Sequence, residues 1–545
     1  MPNKQGKAVS HTGRPTTCTD QASMGDDRIR VGVVLDDGGT APAWVAELLG
    51  RVRDSDWVKF VVVARRVGEH RRRAAPSVWW LFALLDRWAH AGMDDAFART
   101  PLASMLSGVR SVDISELAAA SAANMLDVVL DLTERGPATT VAATIDGSWS
   151  ADGGPPDDPR AFWALYRREP STEVLVRRTG VRGAEAIARA HILTDRESVF
   201  RTTSAIRWKS GTLVMRCLRQ LQLHGSLPGE PEERVPRDHG APTPAARTVA
   251  SVALRIVVTF VRRRALRSLG RHTWFLAVRR KNWRRLAERD DRGFRAIVPP
   301  RGRFYADPFL FEEATKTYVF FEDFIHSENK AVISCAEVTP SGLGTPRVVL
   351  RADHHLSYPF VFRHGETIYM LPESTRARRL DLFRAVDFPW RWEFERTLLA
   401  DTHLADATLL EHDGLLWLFG TAASHGGKDW EDLQIFHAST LEGSWTPHPL
   451  NPVISDVRSA RPAGRIFVDD GALIRPAQDC SVRYGYAMTL NRIDLLTTTG
   501  YSETRAGAIV PGWYPGNTAT HTIDHTEHLE VIDGRAVMPR RPGLQ

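Results

Sequence analysis

The second half of the chain repeats one pattern five times. Each copy has a small or polar cluster, an apolar strand, a turn and a second apolar strand. A spacing of about 50 to 60 residues is what a propeller blade of four strands requires. The repeat therefore predicts an all-β, five-bladed β-propeller over residues 271–545, with units beginning at Phe304, Ser357, Leu404, Arg461 and His521.

Turns and a spare strand complete this pattern. The strand TWFLAVRR at 273–280 precedes the first unit. It is predicted to pair with the last blade and so remove an exposed sheet edge. The turns are predicted at 312–316, His364-Gly365, Asp413-Gly414, Asp470-Gly471 and Asp533-Gly534.

The first half of the chain reads differently. A length of 545 residues suggests two or three domains. RIRVGVVL at 28–35, a helical stretch and WVKFVVVARR form a βαβ pattern, and LDVVLDLT at 126–133 resembles another buried parallel strand. We therefore predict an α/β Rossmann-like domain over residues 28–224.

Other segments connect or flank these domains. Residues 1–27 are polar and without an apolar signal region, which predicts a disordered tail. Residues 225–247 are dense in Pro, Gly and charge, as in an interdomain linker. A basic amphipathic helix is predicted over 248–270.

Composition excludes several classes of partner. The net charge is +6, but the arginines lie in short runs and not on one aromatic-rich face, so no nucleic-acid partner is predicted. Four cysteines without a CxxC pair predict a cytoplasmic protein without a zinc site. Nucleotide-binding glycine motifs are absent, and we predict no cofactor.

Two segments have the pattern of helices that lie on an anionic membrane. Residues 71–88 and the helix at 248–270 place arginines beside Trp, Phe and Val. Peripheral contact with the inner membrane face is one interpretation. Packing in a core or between domains is the alternative.

Carboxylates at the heads of the units and at the ends of their second strands are the candidate catalytic groups. Inner strands of a propeller run along its axis, so these residues are expected to ring one funnel. Paired acids suit glycosyl chemistry, with Asp307 as base or ion stabiliser, Glu373 as acid and Glu322 as the alternative acid. Acids at strand starts also satisfy turn backbone groups, which is the structural alternative. The predicted substrate-binding residues are Tyr358, Asp406, Arg461, Arg475, Asp479 and His521.

A histidine cluster suggests a metal site at first sight. On an extended strand His521 and His525 share one face, whereas His528 points away. No metal is predicted, and His521 is expected to contact substrate.

The propeller motifs resemble a known family. ADPF at 306–309, FFEDF at 320–324, LPES at 371–374 and SARPAGRIF at 459–467 occur in the order found in the N-terminal domain of plant glucosamine inositolphosphorylceramide transferases. A more distant resemblance is to glycoside hydrolase families 43, 32 and 68, in which an Asp-Pro matching Asp307 supplies a catalytic carboxylate. Those hydrolases use a Glu as general acid where the third blade here has Asp406.

The first domain resembles formyltransferase-like domains, most visibly in the segment at 147–170. In that family an essential His, an Asp and an Asn act on the amine. Here SADGG at 150–154 occupies the place of the His. The resemblance therefore implies a degenerate scaffold without formyl transfer.

The resemblances together imply a carbohydrate-active enzyme. The expected activity is glycosyl transfer in polysaccharide or glycolipid biosynthesis, with a sugar donor and a glycan or glycolipid acceptor as partners. A glycoside hydrolase and a non-catalytic glycan-binding module are the alternatives.

Overall fold

The computed structural model describes most of the chain. The described residues are 27–66, 77–92, 94–133, 144–151, 154–180, 183–227, 241–269, 271–339, 342–423 and 427–538. The predicted tail, apart from Asp27, and residues 228–240 of the predicted linker lie outside them.

A seven-stranded mixed sheet organises the N-terminal domain. The strand order is β5-β3-β1-β6-β7-β8-β9, in which β8 and β9 are antiparallel and the others parallel, while β2 and β4 form a separate pair. Strands β1 and β6 are buried on both faces, as their apolar runs require. The α/β character is confirmed, and the likeness to Rossmann and formyltransferase folds stays a prediction. The strands are β1 (Ile29–Asp36), β2 (Thr40–Pro42), β3 (Val58–Arg66), β4 (Arg99–Pro101), β5 (Arg110–Asp113), β6 (Val128–Asp131), β7 (Ser148–Ala151), β8 (Ser171–Gly180) and β9 (Gly183–Leu193).

Six α-helices accompany this sheet in the described part of the chain. The longest, α5, begins after Ser198, whose side chain accepts a hydrogen bond from the Arg201 amide, and ends before the capping residue Gly225, which has φ 69°. Most of its side chains are buried. The helices are α1 (Ala43–Asp54), α2 (Val78–His90), α3 (Leu117–Asn124), α4 (Arg160–Arg167), α5 (Val199–His224) and α6 (Ala246–Leu269).

The second half forms five antiparallel sheets around one axis. Four blades are β12–β16, β17–β20, β21–β25 and β26–β29, and the fifth joins β30–β32 to β10 and β11. This confirms the predicted five-bladed propeller. The strands are β10 (Arg271–Arg280), β11 (Arg295–Ile297), β12 (Arg303–Glu313), β13 (Lys316–Ile325), β14 (Lys330–Thr339), β15 (Gly342–Leu343), β16 (Arg347–Leu350), β17 (Ser357–His364), β18 (Thr367–Glu373), β19 (Leu380–Asp387), β20 (Arg391–Leu399), β21 (Ala405–His412), β22 (Leu415–Thr421), β23 (Asp432–Ala438), β24 (Thr446–Pro447), β25 (Ile454–Ser455), β26 (Phe467–Asp469), β27 (Ala472–Asp479), β28 (Ala487–Leu496), β29 (Tyr501–Ile509), β30 (Asn517–Ala519), β31 (Ile523–His525) and β32 (Leu529–Met538).

The first strand of the propeller closes the ring, as the sequence predicts. Strand β10 pairs with β32 in antiparallel register from Arg271 opposite Met538 to Arg280 opposite Leu529. Four of the five predicted turns lie between paired strands. The fifth prediction is wrong, because Asp533 and Gly534 lie inside β32. A Cβ atom at Gly534 would come within 2.7 Å of Trp513, so the glycine serves close packing and not a turn.

The two domains also contact each other directly. Lys209 Nζ on α5 lies 2.7 Å from Asp432 Oδ2 and 3.6 Å from Glu431 Oε2, and all three side chains are buried. The Val457 amide donates to the His191 carbonyl at 2.9 Å, which joins β9 to the propeller. The N-terminal domain therefore packs on the third blade and on the segment that leads to Arg461.

Candidate active site in the propeller funnel

Three blades begin with the same backbone irregularity. Asp307, Tyr358 and Asp406 have φ values of 50°, 45° and 53°, each at a bulge in β12, β17 or β21. Positive φ is uncommon for Asp and more strained for Tyr, and such strain concentrates at functional sites. Pro308 and Pro359 follow two of these residues, and a proline fits a bulge because it has no amide to donate to the ladder. The bulges place these side chains in contact with neighbouring blades.

Asp307 lies where three blades meet. Its Oδ1 accepts a hydrogen bond from Thr522 Oγ1 at 2.8 Å, and its Oδ2 accepts one from the Tyr358 amide at 3.3 Å. His521 Nδ1 is 3.7 Å from the same carboxyl group. Blades one, two and five thus converge on one buried acid.

His521 is held by an acid on the last strand. Its Nδ1 is 2.5 Å from Asp533 Oδ2, and its amide donates to Asp533 Oδ1 at 2.8 Å. The ring stacks on Trp274 with centroids 4.1 Å apart. Burial lowers the pKa of His521, but the charges of Asp533 and Asp307 outweigh it and raise that pKa. The imidazole is therefore biased towards its charged form.

Arg461 organises a second group of acids. Its Nε donates to Asp406 Oδ2 at 2.6 Å, and its Nη2 donates to Asp406 Oδ1 at 3.1 Å and to Glu373 Oε2 at 3.3 Å. Gln478 Nε2 donates to Asp406 Oδ2 at 2.8 Å. The guanidinium lies 5.2 Å from the centroid of the Tyr484 ring, which is partly exposed. Blades two, three and four thus share one buried ionic network.

Tyr358 connects the blades at the axis. Its hydroxyl accepts a hydrogen bond from the Gly464 amide at 2.7 Å and lies 2.9 Å from Thr408 Oγ1. Gly464 has φ 136°, and a Cβ atom there would come within 1.8 Å of the Ile523 carbonyl oxygen. Only glycine fits this approach of the fourth blade to the fifth.

The pKa of Asp307 is shifted strongly. Burial, followed by the negative charges of Glu322 and Asp533, raises the pKa of Asp307 to about 7, against the opposing charge of His521 and the hydrogen bond from Thr522. A carboxyl group with this pKa is partly protonated near neutral pH. It can therefore donate a proton.

Glu373 behaves in the opposite way. Burial favours its neutral form, but the charge of Arg461 and hydrogen bonds that include one from Thr375 lower the pKa of Glu373. Burial, and then the charge of Glu373, raise the pKa of Asp406 although Arg461 opposes this shift. These directions favour Asp307 as the acid and Glu373 as the ionised group, which reverses the roles expected from the sequence.

The structure brings most of the predicted residues together. Glu322 lies beside the site, where its Oε1 is 3.2 Å from His355 Nε2 and its charge acts on Asp307. The predicted residues that meet in the two connected clusters are Asp307, Tyr358, Glu373, Asp406, Arg461 and His521.

Two predicted residues lie elsewhere. Arg475 forms a buried ion pair with Glu503 at 2.7 Å and donates to the Ser459 carbonyl at 2.5 Å, so its donors face the interior of the fourth blade. Asp479 Oδ1 accepts a hydrogen bond from the Ser481 amide at 2.9 Å, as an acid in a local turn does. The structure does not bring either residue to the clusters.

Sequence reasoning missed four contributors. Thr522 follows His521 at the head of the fifth blade, and this adjacency could have suggested it. Asp533 was hidden by its Asp-Gly pair, which is typical of turns. Gln478 and Tyr484 carry no motif that would have indicated them.

One group of ligand-type side chains lies within this site. Single ligand atoms of Asp307, His521 and Asp533 lie within 4.8 Å of one another, a spacing that could hold a cation. This group differs from the histidine cluster of the sequence, because the His525 ring packs against Phe467 with centroids 4.6 Å apart. All three side chains already have hydrogen-bond partners in this structure. The absence of a metal stays a prediction.

The shifted pKa of Asp307 predicts how stability depends on pH. Its pKa is about 7 in the folded protein, against 3.8 ordinarily, so between these values the folded state binds the extra proton. The free energy of unfolding is therefore expected to fall as pH rises through this window. The raised pKa of His521 adds a further decrease in the free energy of unfolding as pH rises above about 6.5.

Melting temperatures of wild type and Asp307→Asn at about pH 5 and about pH 8 test this prediction. The variant cannot ionise at this position, so its melting temperature should fall less between the lower and the higher pH. Each 1 kcal/mol corresponds to about 2–4 °C in a domain of this size. Equal losses in both proteins would show that Asp307 is not the source.

Comparisons with known proteins agree with the propeller motifs. Residues 296–531 match the family model described as "Glucosamine inositolphosphorylceramide transferase 1, N-terminal". The protein of that name from Oryza sativa subsp. japonica is 38% identical over 205 residues, and the one from Arabidopsis thaliana is 37% identical over the same length. These matches cover 37% of this chain and 27% of the plant proteins. The chain thus spans about a quarter of the length of these relatives.

Solved structures give weaker similarities. An exo-beta-1,3-galactanase from Clostridium thermocellum is 12% identical with a TM-score of 0.32, over 37% of this chain and 49% of that one. A GH43_1 enzyme from Xanthomonas citri in complex with xylose is 13% identical with a TM-score of 0.31, over 43% and 87%. Both TM-scores are too low to support an argument about fold or function. The family match and the plant relatives show that the propeller of this chain is similar to the N-terminal domain of glucosamine inositolphosphorylceramide transferase 1.

Proposed function

We propose that the propeller funnel catalyses glycosyl transfer to a glycan or glycolipid acceptor. The observation that carries the proposal is the pair of buried acids, Asp307 and Glu373, whose pKa values shift in opposite directions. Glycosyl chemistry needs a proton donor for the leaving oxygen and an anion near the anomeric carbon. Two acids in different protonation states supply both functions.

The chemical steps follow from these states. Asp307 donates its proton to the leaving oxygen as the bond from the anomeric carbon to that oxygen breaks. The acceptor hydroxyl attacks the anomeric carbon, and its proton passes to the carboxylate of Glu373. Arg461 lies beside Glu373, and its Nη1 is 3.6 Å from the half-exposed Asp429, where a substrate phosphate could replace that carboxylate.

The plant relatives support a lipid acceptor. Their name specifies a glucosamine inositolphosphorylceramide transferase. For this chain we infer a nucleotide-linked amino sugar or related hexose as donor, with the nucleotide as leaving group, and a phosphoinositol lipid as the acceptor class. Arg461 is the group of the site suited to such a phosphate.

A transfer assay tests the proposal. Purified full-length protein is incubated with a panel of nucleotide sugars and with phosphoinositol-containing lipids, and products are detected by mass spectrometry. A lipid that gains one hexose or hexosamine mass is the expected result. Free sugar released from oligosaccharides without a nucleotide donor would instead identify a hydrolase. Saturable sugar binding without turnover would identify a glycan-binding module.

A further inference from the structure

Helix α2 leaves an apolar face uncovered. Trp79 and Asp86 lie on its buried side, and the Asp86 carboxylate accepts a hydrogen bond from the Phe200 amide at 2.7 Å. Trp88, on the opposite side, is 83% exposed. The exposed apolar residues recur at positions 80, 81, 84, 85 and 88, a spacing that keeps them on one helical face. They are Trp80, Leu81, Leu84, Leu85 and Trp88.

Helix α6 also leaves an apolar face uncovered. Val249 and Val252 are buried against the domain core. Positions 254, 257, 258 and 261 fall together on another face, and α6 contacts α2. The exposed apolar residues of α6 are 53% to 65% accessible and comprise Leu254, Val257, Val258, Phe260 and Val261. We call these ten residues of α2 and α6 the apolar platform.

A platform of this kind marks an interaction surface. Soluble proteins expose single apolar side chains commonly, but contiguous patches of this size rarely without a partner. Core or interdomain packing, the alternative interpretation of the sequence, does not account for these residues, because their side chains remain exposed with both domains in place. Among the described residues no helix is both long and apolar enough to cross a membrane.

The charge next to the platform indicates the partner. Helix α6 carries six arginines and neither Asp nor Glu, and the one acid of α2 is the inward-facing Asp86. Arg262 is exposed one position after the platform residue Val261. A second copy docked here would bring the same excess of positive charge against it. An anionic lipid surface neutralises this charge instead.

We propose that the apolar platform docks this protein on an anionic membrane surface. The tryptophan, phenylalanine and aliphatic side chains of the platform enter the boundary between headgroups and acyl chains, and the exposed Arg262 contacts anionic headgroups. The proposal rests on the helices alone and does not depend on the activity of the funnel. The arginine run at 71–73, which the sequence places in the same pattern, lies outside the described residues.

Vesicle flotation with the full-length protein tests the proposal. Phosphatidylcholine vesicles that contain phosphatidylserine should carry the protein upward, vesicles of phosphatidylcholine alone should carry much less, and added salt should release it. Trp88→Ser and Val258→Asp should each lower the membrane partition coefficient about tenfold, and Arg262→Glu by a similar factor. Phe394→Ser is the matched control, because Phe394 is 57% exposed on strand β20 of the propeller. It should float like wild type.

Other outcomes would overturn the proposal. The proposal is wrong if the platform variants float like wild type, or if the protein binds neither the vesicles with phosphatidylserine nor those without it. A dimer in analytical ultracentrifugation that Trp88→Ser converts to monomer, without vesicle binding, would identify a second copy as the occupant. Circular dichroism checks folding, and Val258→Asp and Arg262→Glu provide independent tests if the Trp88 variant melts early.

Discussion

Replacing Asp307 with Asn is expected to lower kcat about 10²- to 10⁴-fold on a confirmed substrate, the usual cost of removing a positioned general acid. The amide keeps the size of the side chain and can still accept the hydrogen bond from Thr522 Oγ1, so the fold and KM should change little. The loss should therefore appear in kcat, because the amide has no proton of comparable acidity to donate. Initial rates across donor concentrations separate the two parameters.

Asp381→Asn is the matched control for this variant. Asp381 is as buried as Asp307, but its carboxylate accepts hydrogen bonds from Arg379 and Thr397, away from the clusters. It should keep near wild-type kcat. Near wild-type turnover in folded Asp307→Asn would refute the assignment of the acid. Loss of activity in both variants would point to general destabilisation of the blades.

Lys209→Met is expected to destabilise the protein by about 3–5 kcal/mol, the range for breaking a buried ion pair by removing one partner. The ammonium lies 2.7 Å from Asp432 and 3.6 Å from Glu431 across the domain interface. Its loss leaves two buried carboxylates without the cation that faces both. Urea unfolding followed by fluorescence and circular dichroism measures the change in the free energy of unfolding.

Lys316→Met is the control for the ion pair. Lys316 lies 2.9 Å from Glu337, but both side chains are substantially exposed, and such pairs contribute about 1 kcal/mol or less. The two lysine variants should therefore differ clearly. Equal effects would contradict a stabilising role for the buried contact between the domains.

The repeat in the sequence was sufficient to predict the propeller. Each blade buries the same alternation of small, polar and apolar residues, so blade number and the closing strand could be read along the chain. Asp307, Tyr358, Asp406, Arg461 and His521 could be predicted for the same reason, since the head of every blade meets the axis.

Contacts between blades could not be predicted in this way. Thr522 lies 215 positions from Asp307 in the sequence. The residues next to Asp533 form only an Asp-Gly pair, which indicates a turn. The protonation states of the acids also could not be predicted from the sequence. The pKa of Glu373 depends on Arg461, which belongs to another blade and lies 88 positions away in the sequence. Arg475 is the opposite case, because this predicted site residue forms its ion pair within its own blade, with Glu503.

The pairing of β10 with β32 sets the order in which this protein can fold during its synthesis. Arg271 leaves the ribosome 267 residues before Met538, its partner in the closing blade. At the usual rates of translation this delay is on the order of 10–50 s. Throughout that time the nascent propeller is an open ring whose first strand has no neighbour on its β32 side. The N-terminal sheet, whose strands all precede α6, can form earlier, so chaperone demand should concentrate on the unfinished propeller.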